Sequence, residues 1–180
     1  MVTNNTLSNI VEYYPNGSPR LEEWRNKDGK LHREGGPART TYYGNGTLRH
    51  EAWYRNGRAH RLDGPASITY NLNGTVSEKQ WWQNGKRHRT DGPAWVYYNP
   101  DGNIETETWW QNGQHHRADG PASTDYWENG TVQEESWWKN WKLHRDDGPA
   151  VTEYNPDGTI KREQWWQHGE KTAPPDTPGQ

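Results

Sequence analysis

The chain has 180 residues, a net charge of −3 and no cysteine, which excludes disulfides, thiolate metal sites and cysteine nucleophiles. The near-balanced charge, without any basic block, gives no electrostatic support for binding to nucleic acid or to a membrane surface. Only 28% of the residues are hydrophobic. However, the 13 Trp and 10 Tyr are large enough to replace an aliphatic core, so we expect a folded protein.

The N-terminal residues lack the basic start and apolar run of a secretory signal. No window approaches the roughly 18 apolar residues of a membrane-spanning helix. Together with the absence of cysteine, this predicts a cytoplasmic protein.

A half-unit opens the chain. Residues 1–24 contain an Asn16-Gly17 turn signal and end at Trp24, but they carry no His-Arg pair of their own. We interpret this segment as an N-terminal cap of a single repeat array that covers residues 1–170.

The array is defined by a motif that recurs every 28 residues without insertion or deletion. In the third unit the motif reads Trp81-Trp82-Gln83-Asn84-Gly85, followed by His88-Arg89 and Asp91-Gly92-Pro93-Ala94. A fixed period of this size is typical of repeat proteins, whose units stack to build a continuous core. Five units centre on His32, His60, His88, His116 and His144, and a partial unit runs to residue 170. Residues 171–180 are proline-rich and aperiodic, and they are predicted to be a disordered tail.

Within a unit the pattern predicts β-hairpins. Residues 75–83 form a strand candidate between two Asn-Gly dipeptides, which favour type I′ turns with positive φ at both central residues. Residues 86–89 and 94–98 are further extended segments, separated by Asp91-Gly92-Pro93. Helix signals are missing.

An even number of strands per unit preserves the strand direction from one unit to the next. We therefore expect an all-β fold, an elongated and twisted antiparallel sheet with two strands per unit and a bulge or kink at Asp-Gly-Pro. A three-sided β-solenoid is the alternative.

The Trp-x-x-Asn-Gly-x-x-His-Arg-x-Asp-Gly-Pro-Ala and Tyr-x-x-Asn/Asp-Gly-Thr patterns, over residues 11–170, resemble MORN-type β-hairpin repeats. The resemblance is closest to bacterial and viral variants, some of them antitoxin-like. The period of 28 is longer than the MORN unit, and Asp-Gly-Pro-Ala departs from its pattern. The resemblance implies an elongated sheet for protein–protein or lipid-surface contacts and no catalytic residues.

The His-Arg-x-Asp ladder invites a chemical interpretation, because imidazole and carboxylate together could ligate a metal or transfer protons. Catalytic sites, however, are single constellations in concave pockets, whereas this one is repeated. We therefore interpret the ladder as structural, with a metal stripe and a catalytic site as alternatives. It comprises His60, Arg61 and Asp63; His88, Arg89 and Asp91; His116, Arg117 and Asp119; and His144, Arg145 and Asp147.

Three tryptophans break the repeat, and we predict that they contact a partner. Trp95 and Trp127 occupy positions that other units fill with different residues, and Trp141 replaces a turn glycine. A residue present in one unit only is not required by the fold, and singular aromatics often anchor binding surfaces.

The sequence thus predicts a non-enzymatic, protein-binding repeat module without cofactors or metal, an antitoxin-like or phage-encoded inhibitor or a scaffold. A carbohydrate-binding module with Trp and Tyr platforms is one alternative, with a glycan as its ligand, and a metal-binding hydrolase is another. Open sheet edges also allow self-association.

Overall fold

The structure, a computed structural model, describes residues 8–174, and in this range the protein consists of strands and turns without a helix. There is accordingly no helix among these residues that could cross a membrane. In chain order the strands are β1 (Ser8–Tyr13), β2 (Pro19–Arg25), β3 (Arg39–Tyr42), β4 (Leu48–Ala52), β5 (Tyr54–Arg55), β6 (Arg58–Ala59), β7 (Ser67–Tyr70), β8 (Val76–Gln80), β9 (Trp82–Gln83), β10 (Lys86–Arg87), β11 (Trp95–Tyr98), β12 (Ile104–Thr108), β13 (Trp110–Gln111), β14 (Gln114–His115), β15 (Ser123–Tyr126), β16 (Val132–Ser136), β17 (Trp138–Lys139), β18 (Lys142–Leu143), β19 (Val151–Tyr154), β20 (Ile160–Gln167) and β21 (Glu170–Thr172).

Thirteen of these strands form one long antiparallel sheet in the order β1-β2-β3-β4-β7-β8-β11-β12-β15-β16-β19-β20-β21. Each unit contributes two strands to this sheet, so equivalent strands run in the same direction throughout. The predicted all-β antiparallel array is therefore confirmed, and the strand order is that of a meander rather than of a three-sided coil.

A second row of short hairpins runs beside the sheet, and we call it the hairpin row. It consists of β5–β6, β9–β10, β13–β14 and β17–β18, each a pair of two-residue strands. The strand predicted over residues 75–83 is therefore divided. β8 ends in the main sheet at Gln80, and after Trp81 the chain turns out into the hairpin row.

The two kinds of hairpin have different turns. In the short hairpins both central residues have positive φ, for example 51° at Asn84 and 79° at Gly85, as type I′ turns require. In the long hairpins only the glycine has positive φ, as at Gly74, and the register shifts by one residue before the turn. The predicted type I′ turns at Asn-Gly therefore occur in the hairpin row. The main-sheet turns are longer loops, and a β-bulge lies next to them.

Neighbouring short hairpins are joined by backbone hydrogen bonds. Gly85 N–H donates to Ala59 O (2.9 Å) and Arg61 N–H donates to Trp82 O (3.1 Å), and most neighbouring pairs repeat both bonds. The hydrogen-bonded row is thus continuous across units of the described chain, except between β13–β14 and β17–β18.

Small residues form the buried centre, where the row meets the sheet. The alanines of the Asp-Gly-Pro-Ala motif are at most 1% exposed, and among residues 8–174 no large side chain is completely buried. Close backbone approach at alanine, with half-buried aromatics on either side, takes the place of a conventional core. The buried motif alanines are Ala38, Ala66, Ala94, Ala122 and Ala150.

The two ends deviate from the repeat. In the first unit Trp24 takes the role of Trp53, and the loop that follows it is one residue longer. At the other end β21 extends to Thr172, and residues 175–180 of the predicted tail lie outside the described residues.

Candidate functional site

The arginine of each motif lies over the first tryptophan of its unit. Arg89 Cζ is 4.2 Å from the centroid of the Trp81 ring, and its Nη1 donates to Pro93 O at 3.2 Å. Gly92 makes room for this arrangement, because a Cβ there would lie only 2.6 Å from Arg89 Cζ. The equivalent Arg–Trp distances are 4.4 Å for Arg33–Trp24, 4.2 Å for Arg61–Trp53, 4.2 Å for Arg117–Trp109 and 4.1 Å for Arg145–Trp137.

The motif aspartates orient these arginines from the solvent side. Arg89 Nε donates to Asp91 Oδ1 at 2.9 Å, and this bond lowers the pKa of Asp91. The aspartate side chains are about four-fifths exposed. They therefore steer the guanidinium but add little electrostatic stabilisation. The same pair occurs at Arg61–Asp63, Arg117–Asp119 and Arg145–Asp147.

The motif histidines connect successive units. His60 Nδ1 accepts a hydrogen bond from the backbone N–H of Asn84, 24 residues later, at 3.1 Å. His88 and His144 accept the equivalent bonds from Asn112 and His168. His116, by contrast, has no such bond to the next hairpin in the described chain. Because Nδ1 acts as acceptor, the proton of the neutral ring is on Nε2.

These contacts support the structural interpretation of the ladder. Its arginines stack on rings and its aspartates hold the arginines. Three of its four histidines, His60, His88 and His144, accept hydrogen bonds from backbone N–H groups. Within residues 8–174, no three side chains of the histidine, aspartate and glutamate type come together in a way that could hold a metal ion.

One face of the main sheet carries a tyrosine–glutamate hydrogen bond that recurs from unit to unit. Tyr70 OH donates to Glu51 Oε2 at 2.8 Å, and burial, followed by this hydrogen bond, raises the pKa of Tyr70 to about 12. We call this side of the sheet the constant face. The same Tyr–Glu contact occurs at Tyr42–Glu22, Tyr126–Glu107 and Tyr154–Glu135.

The opposite side changes from unit to unit, and we call it the variable face. Trp95 lies on it, directly opposite Gln80 on one neighbouring strand and Thr108 on the other. The side chains in line with Trp95 on the other strands are small, polar or charged, except for Val151. From the N-terminal side the row reads Arg39, Ala52, Ser67, Gln80, Trp95, Thr108, Ser123, Ser136 and Val151.

At the centre of the variable face three tryptophans surround Arg87. Its Cζ lies 5.2 Å from the ring of Trp82, 5.1 Å from that of Trp95 and 5.1 Å from that of Trp110. Its Nη2 donates to Gln80 Oε1 at 3.3 Å, whereas its buried Nε has no hydrogen-bond partner. Burial lowers the pKa of Arg87, but the group remains charged at neutral pH. Arg87 forms no ion pair within the described chain.

His115 extends this cluster toward the next unit. Its ring centroid is 4.1 Å from that of Trp110 and 5.3 Å from that of Trp138. Burial, followed by the charge of Arg87, lowers the pKa of His115 to about 4. The ring is therefore neutral at physiological pH.

Trp141 completes the cluster from the turn of β17–β18. It adopts a φ of 66°, as its glycine position predicts, and it is 54% exposed. Its ring meets the ring of Trp110 at a centroid distance of 5.5 Å. Trp82, Trp110 and Trp141, together with Lys86 and Arg87, line an open groove of about 460 Å³.

The structure thus brings together two of the three predicted tryptophans, Trp95 and Trp141. Trp127 lies elsewhere, with its Nε1 donating to Tyr154 O at 3.2 Å. Tyr43 OH makes the equivalent bond to Tyr70 O, which indicates a structural role for Trp127.

Sequence reasoning missed Arg87 and His115. The signal for both was present, since the same position holds Ala59 in the preceding unit and Leu143 in the following one. Both residues directly precede the invariant His-Arg pair, and a search for recurring residues selects that pair and not the variable position before it.

Comparison of the chain with protein-family models, with curated proteins and with solved structures finds no match. The resemblance to MORN-type repeats therefore stays a prediction, and the functional argument rests on the geometry of the cluster.

Proposed function

We propose that the protein is a non-enzymatic binding module that contacts a protein partner through its variable face. The observation that carries this proposal is the convergence of Trp95, Trp141 and Arg87 on one cluster. All three depart from the repeat, so the fold does not require them. Tryptophan and arginine are also the residues most enriched among the energetic centres of protein interfaces. The role of an inhibitor or a scaffold, which the resemblance implies, fits such a surface.

The glycan alternative receives less support from the same cluster. Sugar binding needs an open aromatic face, and Arg87 covers one face of Trp82 and one face of Trp110, so Trp141 is the most exposed ring that the cluster offers. The hydrolase alternative has no support from the ladder, whose histidines bind backbone N–H groups.

The test is affinity capture from a lysate of the native host, with the full chain as bait and mass spectrometry as readout. We expect a protein that binds the wild type and Trp127→Asn but is lost from Trp95→Ser and from Trp141→Gly. Trp127→Asn is the matched control because it also replaces a singular tryptophan by the residue of neighbouring units. An identical set of captured proteins for all four baits, or binding of glycans by the wild type alone, would contradict the proposal.

A further inference from the structure

The groove beside Trp141 combines apolar walls with positive charge. Its walls are the indole rings of Trp82, Trp110 and Trp141, and its charged residues are Lys86 and Arg87. No carboxylate is among the residues that line it. A volume of about 460 Å³ lies in the usual range for ligand sites and is large enough for one or two side chains of a partner.

Trp141 forms one wall of the groove from a turn position that other units fill with glycine. At Gly113 an added Cβ would lie 3.6 Å from Lys86 Cβ, and at Gly169 it would lie 3.3 Å from Lys142 Cδ. The turn glycines therefore lie in contact with the preceding hairpin. The indole of Trp141 packs back onto the ring of Trp110.

The backbone hydrogen bonds at the junction that contains Trp141 differ from those at the other junctions. At each of the other junctions of the hairpin row, three hydrogen bonds from backbone N–H groups join successive hairpins. Two of them are accepted by backbone carbonyl oxygens and the third by a histidine Nδ1. Between β13–β14 and β17–β18 none of these three is formed in the described chain. The protein thus retains a strained residue and gives up regular pairing at one junction, as is typical of a functional site.

A line of cations passes the groove. Lys86 is exposed, and Lys30, Arg58 and Lys142 occupy the same position of other units, whereas Gln114 and Glu170 hold it in β13–β14 and β20–β21. Successive units are separated by two strands, which is roughly 10 Å, so the charges act on an extended ligand together. The cations of this line are Lys30, Arg58, Lys86 and Lys142.

The carboxylates of the variable face lie outside the groove. Glu78 accepts hydrogen bonds from Trp95 Nε1 (2.5 Å) and Gln80 Nε2 (2.6 Å) on one oxygen, Oε1, and its charge acts on Arg87 without forming an ion pair with it in the described chain. Asp125 and Glu134 belong to the main-sheet strands β15 and β16, and neither lines the groove.

From this charge distribution we infer that the groove binds an acidic segment of the partner protein, with an apolar side chain packed against the indole walls formed by Trp82, Trp110 and Trp141. Carboxylates of that segment pair with Lys86 and Arg87. Arg87 suits this role, because its guanidinium is held in place by three rings and forms no ion pair within the described chain. The inference rests on the proposed protein-binding function and specifies the chemistry of the partner.

The experiment is selection from a random twelve-residue peptide library on the immobilised full-length protein, with counter-selection on Trp141→Gly. We expect the enriched peptides to combine Asp or Glu with an aromatic or leucine residue. Because Trp141→Gly restores the residue of the other units, its loss of binding cannot be ascribed to unfolding.

Affinities of the best peptide, measured by fluorescence anisotropy, complete the test. Trp141→Gly and Lys86→Glu should each weaken binding by at least about tenfold. Lys27→Glu, the same charge reversal in the loop of the first unit, should leave it within about twofold. Three outcomes would each overturn the inference. The selected peptides are basic or uncharged, every selected peptide binds wild type and Trp141→Gly equally, or oligothymidylate binds more tightly than the peptides. If capture of the host protein still depends on Trp141 in that case, the acidic character of the bound segment is refuted, but the proposed protein-binding function is not.

Discussion

Trp141 meets Trp110 nearly edge to face, with ring centroids 5.5 Å apart and ring planes inclined at 73°. The contact joins the turn of one short hairpin to the first strand of the preceding hairpin. It is made by a residue in the left-handed region, where a side chain costs about 1–2 kcal/mol relative to glycine. An unfavourable backbone conformation and an exposed indole thus coincide at one position.

Replacing Trp141 by glycine should stabilise the protein by about 1–2 kcal/mol. The substitution removes the backbone strain and allows the missing hydrogen bonds of the junction to form. The edge-to-face contact it removes is worth less, about 0.5–1.5 kcal/mol. Urea unfolding provides the measurement, and Gly113→Trp is the mirror control, expected to destabilise. A lower free energy of unfolding for Trp141→Gly would mean that the contact with Trp110 outweighs the strain.

Arg89→Ala should lower the melting temperature more than Asp91→Ala. Arg89 stacks on Trp81 and donates to Pro93 O, so its loss should cost about 1–2 kcal/mol. Asp91 is exposed and only orients the guanidinium, so its loss should have a small effect. Thermal melts monitored by circular dichroism decide the order. Equal melting temperatures for the two variants would show that the ion pair, rather than the stacking, stabilises the motif.

The stability of the protein should depend on pH through His115. Its pKa of about 4 in the folded protein lies below the ordinary value of 6.5, so the unfolded chain binds the proton first as the pH falls. Stability is therefore lost between about pH 6.5 and pH 4 and levels off below pH 4. The loss should be on the order of 2–3 kcal/mol.

His115→Leu is the matched control, since leucine occupies this position in the following unit. Unfolding free energies measured from pH 4 to pH 7 should fall more steeply for the wild type than for the variant. Parallel curves would contradict burial of a neutral imidazole.

Glu51→Gln should lower the pKa of Tyr70 from about 12 toward, but not to, its ordinary value of 10. Burial is the largest cause of the shift and persists in the variant, whereas the carboxylate charge is removed. The measurement is an NMR titration of the labelled tyrosine ring carbons. Tyr126, held near 12 by burial and by Glu107, is the internal control and should not change. An unchanged titration of Tyr70 would assign its shift to burial alone.

The period of 28 and the Asn-Gly turns were sufficient to predict the all-β antiparallel array. The hairpin row could not be predicted, because residues 75–83 form a continuous strand pattern. What divides them is tertiary. Trp81 N–H still donates to Ala94 O in the register of the β8–β11 pairing, but Trp81 O accepts from His88 N–H of the short hairpin.

The cluster was only partly predictable for a similar reason. Trp95 and Trp141 could be identified by comparing units, but their proximity depends on the pairing of β11 with β8 and β12 and on the leaning of Trp141 toward Trp110. Trp127 is equally singular in sequence and nevertheless makes a structural hydrogen bond to Tyr154. Singularity identifies candidates, and only the register of the sheet decides which of them share a face.

The interrupted junction also has a consequence for how the molecule unfolds. In repeat proteins cooperativity passes from each unit to its nearest neighbours. Between β13–β14 and β17–β18 the described chain has ring contacts but none of the hydrogen bonds that join the hairpins at the other interfaces. Local opening should therefore concentrate at this seam, and amide protons on its two sides should exchange as separate blocks. An acidic ligand bound across the seam would fuse these blocks into one cooperative unit.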